Sequence, residues 1–534
     1  MKTLYSENKS PVDKAARNRS LLLLFLIVTA FFIRTYGIKT HPTNFHATRQ
    51  YQTALLARSF YLNTAEHKDD IARIPSVLYR NHKVKIDPRI NEKLIYQMYR
   101  IAGKEDMIIP RLMSVLYWLI SGFILYKIAF LLFGYTGAMI SVIFYLFFPF
   151  GINVSQSIQP ESLLNMFFLW SVLNIIKHFR SEENEHFYAA AMLSGFAVLI
   201  KFTIIFPLLG IIIFSGINKY GFKKYIFNWQ TLWFHTIFLS IGSSFYVYNI
   251  FWNKTMQASA ATIISPKLLI TPFFWVGWLT QIGKVTGVIP FCIGIILFFT
   301  IRKKSMKFIL SGLLTGYFFY ALVFSYTTAT HDYYQLVLFP IIALLLGQAG
   351  PLMEKVGKWK KTIQLFTFSL LIAGVMFSLW HQYTFIKWAH DMRPYSPAYF
   401  LVGEQGSYFP NNVPEKGIWG NAFEAGEQTG HGINNILLSR AYGNAAMYYG
   451  KFFGRVWPTR EDFDLLRLRN KERLSAEELY KKRFEKVKPK FFIITDLVSW
   501  KRQPDLQKFL RENFQIFLQE KELIIFDLRK KQPL

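Results

Sequence analysis

The sequence predicts a polytopic α-helical membrane protein with about eleven transmembrane helices and a C-terminal extracytoplasmic α/β domain. Three observations predict this fold class. Of the 534 residues, 52% are hydrophobic, and the mean hydropathy is +0.21. Apolar residues cluster in blocks of roughly 15–22, a length that crosses a hydrocarbon layer of ~30 Å. The last part of the chain changes to alternating helix and strand patterns. This composition excludes a soluble enzyme with one compact core, a disordered chain and a fibrous protein.

The charge and the cysteine content exclude further classes. The formal net charge is +29. The basic residues are spread over many loops without forming one basic stripe, so we expect no nucleic-acid partner. Basic cytoplasmic loops and contacts with anionic membrane lipids explain the excess instead. The single cysteine, Cys292, excludes an intrachain disulfide and makes a cysteine-based metal site or cluster untenable.

The first apolar run, residues 21–33, follows a basic segment that we assign to a cytoplasmic N-terminus at 1–20. This order also fits a signal peptide, but Arg34 and Lys39 follow the run instead of a small-residue cleavage site. We therefore interpret the run as a retained transmembrane helix. Later apolar runs predict spans at 110–133, 136–151, 161–177, 187–200, 202–216, 232–250, 286–301, 307–326, 335–350 and 361–381.

The basic loops predict the orientation. With the N-terminus in the cytoplasm, the basic clusters within 177–180, 219–224, 302–307 and 355–361 lie inside. This holds only if residues 187–216 form two short helices that turn at Lys201. A single long span through Lys201 is the alternative, and it would place the later clusters outside. Two helices also put Lys201 at the outer surface, where a charge costs less free energy than at the bilayer centre.

Two large polar regions then face outward. The loop 39–109 is assigned to the transmembrane domain at 21–382, and the tail 383–534 forms the α/β domain. Residues 475–488 have helical spacing and begin like a capping box. Residues 491–496 and 523–528 predict strands, and residues 505–513 predict a helix. The Gly- and Asn-rich stretch 403–460 is expected to be mainly loop.

The expected outer face gathers charged and aromatic residues, and each also has a structural explanation. An acid at a helix start interacts favourably with the helix dipole. Basic residues and tyrosines suit membrane interfaces. Taken together, however, cations suit a lipid phosphate, a carboxylate suits a general base, and aromatic rings suit a sugar or a prenyl chain. This combination predicts sugar transfer from a polyprenyl-phosphate carrier. The candidates are His46, Arg49, Glu92, Lys93, Arg111, Glu161, Lys201, His331, Asp332, Tyr333 and Tyr334.

The order of several short motifs resembles GT-C glycosyltransferases of family 39 type, such as protein O-mannosyltransferases and lipid A aminoarabinose transferases. The resemblance covers roughly residues 20–380. Its motifs are Thr48-Arg49 before Ala54-x-x-Ala57-Arg58, then Glu92-Lys93, Pro160-Glu161, the segment from Gly195 to Lys201, and His331-Asp-Tyr-Tyr before a helix with Pro340.

The resemblance implies roles for these residues. Lys93 is similar to the lysine that holds the carrier phosphate, with Arg49, Lys201 and Arg111 as further phosphate-binding candidates. Glu161 lies where the family often has an acid. His331, Asp332, Tyr333 and Tyr334 occupy the loop that closes over the donor site.

The sequence departs from the family at the first outer loop. His46 and Ala47 stand where the family usually has Asp or Asp-Glu, which serves as base or metal ligand. The base is then His46, Glu92 or Glu161. No oxygen-rich ligand set can be assembled, so we expect no divalent metal and no other cofactor.

The leading hypothesis is an integral-membrane glycosyltransferase that works by direct displacement, with inversion at the anomeric carbon. Its partners are a polyprenyl-phosphate-linked sugar, membrane lipids and an unidentified extracytoplasmic acceptor. One alternative is a transporter of a lipid-linked precursor, which predicts two repeated halves with midplane charges that the sequence lacks. Another is a non-catalytic receptor or assembly factor of transferase ancestry, which the missing carboxylate favours. The resemblance favours a bacterial inner membrane, with the endoplasmic reticulum as the alternative.

Overall fold

The computed structural model describes residues 11–42, 45–64, 70–83, 87–181, 183–256, 266–356, 415–459, 462–463 and 474–531. Helices form most of it. In chain order they are α1 Pro11–Thr35, α2 Ala47–Tyr61, α3 Asp70–His82, α4 Ile90–Ala102, α5 Ile108–Phe147, α6 Pro149–Ser155, α7 Glu161–Ser181, α8 Asn184–Ile200, α9 Ile205–Tyr220, α10 Phe222–Phe227, α11 Trp229–Val247, α12 Pro272–Thr286, α13 Val288–Phe299, α14 Lys304–Val323, α15 Ser325–Thr330, α16 Leu338–Gly347, α17 Ala349–Val356, α18 Glu415–Gln428, α19 Asn444–Gly450, α20 Ala476–Arg483, α21 Leu497–Lys501 and α22 Pro504–Asn513.

Five short strands complete the described elements: β1 Asn435–Leu438, β2 Gly454–Val456, β3 Phe491–Ile494, β4 Phe514–Gln519 and β5 Ile524–Lys531. The chain divides into two compact units. The helical unit comprises Met1–Ile38, Arg111–Gln156 and Pro160–Val402. The mixed unit comprises Lys39–Pro110, Ser157–Gln159 and Gly403–Leu534.

The helical unit carries the candidate membrane spans. Within the described ranges, 6 helices are long and apolar enough to cross a membrane, or up to 7 if α12 and α13 count as one bent span. The predicted spans at 110–133 and 136–151 correspond to the two arms of α5, which are separated by a break in helical geometry at Gly134. The arms fold back on each other, since the rings of Trp118 and Tyr145 stack with their centroids 4.6 Å apart. The predicted span at 361–381 lies outside the described residues.

One candidate membrane segment of the helical unit escaped the sequence prediction. The span expected at 286–301 corresponds to α13, but α12 precedes it and is bent by 93° from it. Thr280, Gln281 and Lys284 interrupt the apolar run of α12, which is why hydropathy does not reveal it. Gly287, with a φ of 73°, separates the two helices.

The chain is broken at Lys201, as the preferred interpretation of residues 187–216 requires. Helix α8 ends at Ile200, Lys201 is extended with a φ of −154°, and α9 follows after a short 3-10 turn. Both α8 and α9 pack on α7. The break therefore lies where Lys201 can reach a residue of α7.

Glycines allow α9 and α14 to pack backbone to backbone. A Cβ added at Gly312 would lie 2.5 Å from the Gly210 carbonyl oxygen, and one at Gly316 would lie 2.4 Å from the Phe206 carbonyl oxygen. The spacing of Gly312 and Gly316 places both on the same face of α14. Small residues at this spacing are typical of close helix contacts in membranes.

The mixed unit is a layered α/β structure. Its sheet has the order β2-β1-β3-β5-β4. Strands β1, β2 and β3 are parallel, whereas β5 is antiparallel to both β3 and β4. Alternate strand residues bury opposite faces of the sheet, as the pleat requires. Leu437, Ile493 and Ile525 belong to one core, and Ile436 and Phe492 belong to the other.

The first of these cores joins distant parts of the sequence. Residues of α2 and α3, from the loop 39–109, pack in it with residues of α18, α19 and the sheet. Tyr51 and Ala54 of α2 are fully buried there. The loop and the tail thus stabilise each other through shared apolar burial.

The predicted elements at 475–528 are confirmed as α20, β3, α22 and β5. Ser475 and Glu478 form the reciprocal bonds of a capping box. The expectation of mainly loop over 403–460 was wrong for its described part, which contains α18, β1, α19 and β2. Strands of three or four residues among glycines leave too short a pattern for recognition from sequence.

Candidate functional site

Glu161 and Lys201 form a buried ion pair in the helical unit. Glu161 is the first residue of α7, and Lys201 lies in the break between α8 and α9. Glu161 Oε1 and Lys201 Nζ are 3.0 Å apart, and the side chains are only 2% and 9% exposed. Two charges removed from water lose hydration free energy that close pairing must offset. Snorkelling to an interface therefore does not explain Lys201.

Two tyrosines cover this ion pair. The Lys201 ammonium lies 4.2 Å from the ring centroid of Tyr334 and 5.0 Å from that of Tyr333. These distances are typical of cation–π contacts. The His331 ring packs edge-on against both tyrosines, and its Nδ1 is 2.6 Å from the Thr330 hydroxyl. The structure thus brings together the candidates from three separate sequence motifs.

A small pocket opens beside the pair and combines charge, hydroxyl groups and apolar wall. Its volume of about 10 Å³ has room for roughly one water molecule. The pocket is lined by Glu161, Leu164, Asn165, Lys201, Thr203, Tyr320, Tyr333, Tyr334, Leu336 and Val337.

A buried polar network holds the segment that carries the tyrosines. The Tyr317 hydroxyl donates to Gln335 Oε1, and Gln335 Nε2 donates to the Thr328 carbonyl at 2.6 Å. The Trp278 indole donates to the Tyr317 hydroxyl at 2.9 Å. The Tyr320 hydroxyl donates to the Tyr334 carbonyl at 2.8 Å. Sequence analysis missed these residues, because single polar residues in apolar helices carry no spacing pattern.

Arg111 has backbone partners in the helical unit. It is 2% exposed, and its guanidinium donates to the carbonyls of Gln156 at 3.1 Å and Ile38 at 2.6 Å. Gln156 in turn donates to the Arg34 carbonyl at 2.7 Å. These bonds give Arg111 a structural role, and its predicted contact with a donor phosphate stays a prediction.

In the mixed unit, His46 and Arg49 lie at the start of α2. His46 is the residue before the helix, has a φ of 46° and is buried. A non-glycine residue in this left-handed conformation is uncommon and often marks a functional site. Arg49 lies in the first turn and is half-buried. The predicted base and the predicted phosphate ligand are therefore three residues apart on one turn.

Two glutamines anchor the segment before α2. Gln50 Nε2 donates to the Phe45 carbonyl at 2.6 Å, and its Oε1 accepts from the Ile158 backbone N–H at 2.9 Å. Gln159 Nε2 donates to the same Phe45 carbonyl at 3.3 Å. Both glutamines are buried. Gln50 follows Arg49 directly, and this adjacency was the only sequence signal for its role.

Glu92 and Lys93 lie in the first turn of α4 and differ in environment. Lys93 is exposed, whereas Glu92 is half-buried. Burial raises the pKa of the Glu92 carboxyl to about 7, while the nearby Arg89 and Arg49 act in the opposite direction. A carboxyl with a pKa near neutrality suits a general base.

Lys83 and Arg89 add positive charge near Arg49. Burial and the charges of Arg49 and Arg89 lower the pKa of Lys83 to about 8. The Arg89 guanidinium donates to the Lys83 carbonyl at 3.0 Å at the end of α3.

Among the described residues, no group of three or more His, Cys, Asp or Glu side chains is placed to hold a metal ion.

Known proteins resemble this chain in fold, and one family model matches part of its sequence. Residues 93–248 match the family model of dolichyl-phosphate-mannose-protein mannosyltransferases. The structure is similar to ArnT from Cupriavidus metallidurans in the apo state, with a TM-score of 0.56 and 12% identity over 97% of this chain and 100% of that chain. ArnT bound to undecaprenyl phosphate gives a TM-score of 0.56 and 10% identity over 95% of this chain and 97% of that chain. No curated protein sequence matches the chain.

These similarities confirm the predicted resemblance to GT-C glycosyltransferases of the mannosyltransferase and ArnT type. They also confirm a polytopic membrane fold with a C-terminal α/β region. The matched segment 93–248 contains Lys93, Arg111, Glu161 and Lys201. The roles of the individual site residues stay predictions.

Proposed function

We propose that this protein is an integral-membrane glycosyltransferase that takes a sugar from a polyprenyl-phosphate-linked donor and transfers it to an extracytoplasmic acceptor. The buried pair of Glu161 and Lys201 beneath two tyrosines carries the proposal. Burying two charges is costly, and a role in binding the substrate would explain why the pair lies among apolar helices. The family match across this pair and the full-length similarity to an ArnT that binds undecaprenyl phosphate support the donor class.

The proposed reaction is a single displacement. The acceptor hydroxyl oxygen forms a bond to the anomeric carbon as the bond to the carrier phosphate breaks, and a base takes the hydroxyl proton. We assign the base to Glu92 because its pKa of about 7 allows it to accept and release a proton near neutrality. His46 is the alternative base. Glu161 is engaged with Lys201 and is assigned to orient that lysine.

The leaving phosphate gains negative charge as the bond breaks. We assign its stabilisation to Lys93 and Arg49, whose charge-assisted hydrogen bonds strengthen as this charge develops. The tyrosines and His331 suit the sugar or the first prenyl units. The proposed location is a bacterial inner membrane, which the family resemblance favours. The N-terminus is proposed to lie in the cytoplasm and the C-terminal domain outside, because the basic loops favour this orientation.

Identification of the bound lipid tests the donor class. The full-length protein is purified gently, and its retained lipids are identified by mass spectrometry. The proposal predicts polyprenyl phosphate or its glycosyl ester in the wild type and a loss of about tenfold or more in Lys93→Ala. Arg100→Ala is the matched control, since Arg100 is an exposed cation on the same helix. Ordinary phospholipid alone in all three proteins would contradict the proposal.

A further inference from the structure

The C-terminal domain contacts the first turn of α2 through one buried asparagine. Asn444 is the first residue of α19 and is 1% exposed. Its Nδ2 donates to the Thr48 carbonyl at 2.8 Å, and its Oδ1 accepts from the Tyr79 hydroxyl at 3.0 Å. Thr48 lies between His46 and Arg49, and Tyr79 belongs to α3. One side-chain amide therefore links the tail to two helices of the loop.

Further bonds from α19 fix the same helix along its length. The Tyr449 hydroxyl lies 3.2 Å from the Tyr51 hydroxyl and 2.5 Å from His41 Nδ1. Tyr448 accepts from Arg58 through its carbonyl and stacks under the Arg58 guanidinium at 3.6 Å. Apolar packing of α2 on α19 would tolerate small shifts, whereas hydrogen bonds to fixed partners set distance and angle.

We propose that α19 of the C-terminal domain positions the first turn of α2, and that Asn444 is a positioning residue for His46 and Arg49. This inference rests on the function proposed above. Asn444 touches no substrate, because its side chain is buried and both its polar atoms are bonded within the protein. It acts through the backbone of Thr48. The tail is thus an integral part of the reacting unit rather than only a surface for the acceptor.

The geometry predicts that Asn444→Ala affects the reaction more than the fold. In Asn444→Ala, the Tyr79 hydroxyl loses its acceptor and the Thr48 carbonyl loses a donor, while the shared core is unchanged. The turn that carries His46 and Arg49 is then free to move. A displacement of a reacting group by about 1 Å can cost roughly 100-fold in rate.

The test compares Asn444→Ala with a matched asparagine of the same domain. Asn435 is 2% exposed and donates to the carbonyls of Gly432 at 2.8 Å and Phe453 at 3.1 Å, so it bonds only within the tail. Both full-length variants are assayed in detergent for kcat and KM with a polyprenyl-phosphate-linked sugar. Amide hydrogen exchange is measured without substrate.

For Asn444→Ala, we expect kcat to fall at least about tenfold with a donor KM within about threefold, and exchange in residues 47–53 to rise at least about tenfold. For Asn435→Ala, we expect faster exchange in β1 and β2 and a kcat within about threefold. Equal losses of kcat in both variants, or unchanged exchange over 47–53 in Asn444→Ala, would overturn the inference.

Two further variants keep the test decisive if Asn444→Ala does not fold. Asn444→Asp retains the acceptor for Tyr79 and replaces the donor to Thr48 by a buried carboxylate oxygen that repels the Thr48 carbonyl. Tyr79→Phe removes only the hydroxyl. We expect Asn444→Asp to lose kcat and Tyr79→Phe to lose less. If the wild type consumes no donor, the proposed function fails, and the exchange result over 47–53 alone decides whether Asn444 positions α2.

Discussion

Replacement of Arg58 by Met should loosen the mixed unit strongly, because Arg58 joins the loop 39–109 to the tail. Arg58 Nε lies 2.9 Å from both carboxylate oxygens of Glu105, and Nη1 donates to the Tyr448 carbonyl at 2.5 Å. The Tyr448 hydroxyl donates to the same Glu105 carboxylate at 2.5 Å. The partners Arg58 and Glu105 are only 9% and 16% exposed.

The magnitude follows from this geometry. Burial alone lowers the pKa of Arg58, but Glu105 and Tyr448 together raise it above its ordinary value, so the guanidinium stays charged. Arg58→Met keeps the apolar stem and leaves the Glu105 carboxylate buried without its cation. Breaking a buried ion pair on one side costs about 3–5 kcal/mol. A tenfold change in an equilibrium constant corresponds to about 1.4 kcal/mol, so local opening should become roughly 100- to several-thousand-fold more frequent.

Amide hydrogen exchange over residues 54–61 of α2 measures this opening directly. Arg58→Met should accelerate exchange there by at least about 100-fold, and the double variant with Glu105→Gln should recover much of the loss, because no charge stays buried. Arg100→Met serves as the control, since Arg100 is exposed. Exchange in Arg58→Met within about threefold of the wild type would show that the buried ion pair does not hold α2 in place.

Four further predictions concern other parts of the molecule. Lys201→Met should destabilise the protein by about 3–5 kcal/mol and abolish sugar transfer. The double variant with Glu161→Gln should regain the thermal unfolding temperature of the wild type but not its activity. Restored activity in the double variant would contradict a functional role of Lys201. Transfer activity should fall as the pH drops below about 7, where Glu92 becomes protonated. In Glu92→Gln, the remaining activity should no longer fall over this pH range. The folded-state pKa of Glu92 exceeds its ordinary value of 4.5, so the wild type should lose stability relative to Glu92→Gln as the pH rises from 4.5 to about 7. The same pH dependence of the free energy of unfolding in both proteins would contradict this. Gly312→Val should lower the free energy of unfolding by about 1–3 kcal/mol, because the added side chain clashes with α9. Gly294→Ala should be tolerated, because the nearest atom to the added Cβ is 3.4 Å away. Equal effects of the two substitutions would contradict the close packing of α9 and α14.

Hydropathy predicted most helices of the helical unit, because long apolar runs need only composition to be recognised. It failed at α12, where Gln281 and Lys284 interrupt the apolar run. The break at Lys201 could be predicted only by combining hydropathy with the distribution of basic residues. In the tail, the short β1 and β2 lack any pattern longer than four residues.

The site was predicted as a set of residue types but not as an arrangement. Motif order pointed to Glu161, Lys201 and Tyr334 separately, and only the fold shows them in contact. The role of Asn444 was beyond sequence analysis, because it depends on a contact between residues 396 positions apart. The raised pKa of Glu92 depends on burial, which the position in the sequence does not reveal.

Consumption of the donor by the purified full-length protein shows directly whether it transfers a sugar from a polyprenyl-phosphate carrier. A set of undecaprenyl-phosphate-linked sugars is incubated with the protein and bacterial envelope membranes as the acceptor source, and released undecaprenyl phosphate is measured by mass spectrometry. We expect release by the wild type and by Arg100→Ala, and release lowered at least about 100-fold in Lys93→Ala and Lys201→Met. Intact donor with every sugar in the wild type, despite retained polyprenyl phosphate, would contradict this expectation and favour a non-catalytic receptor of the same fold.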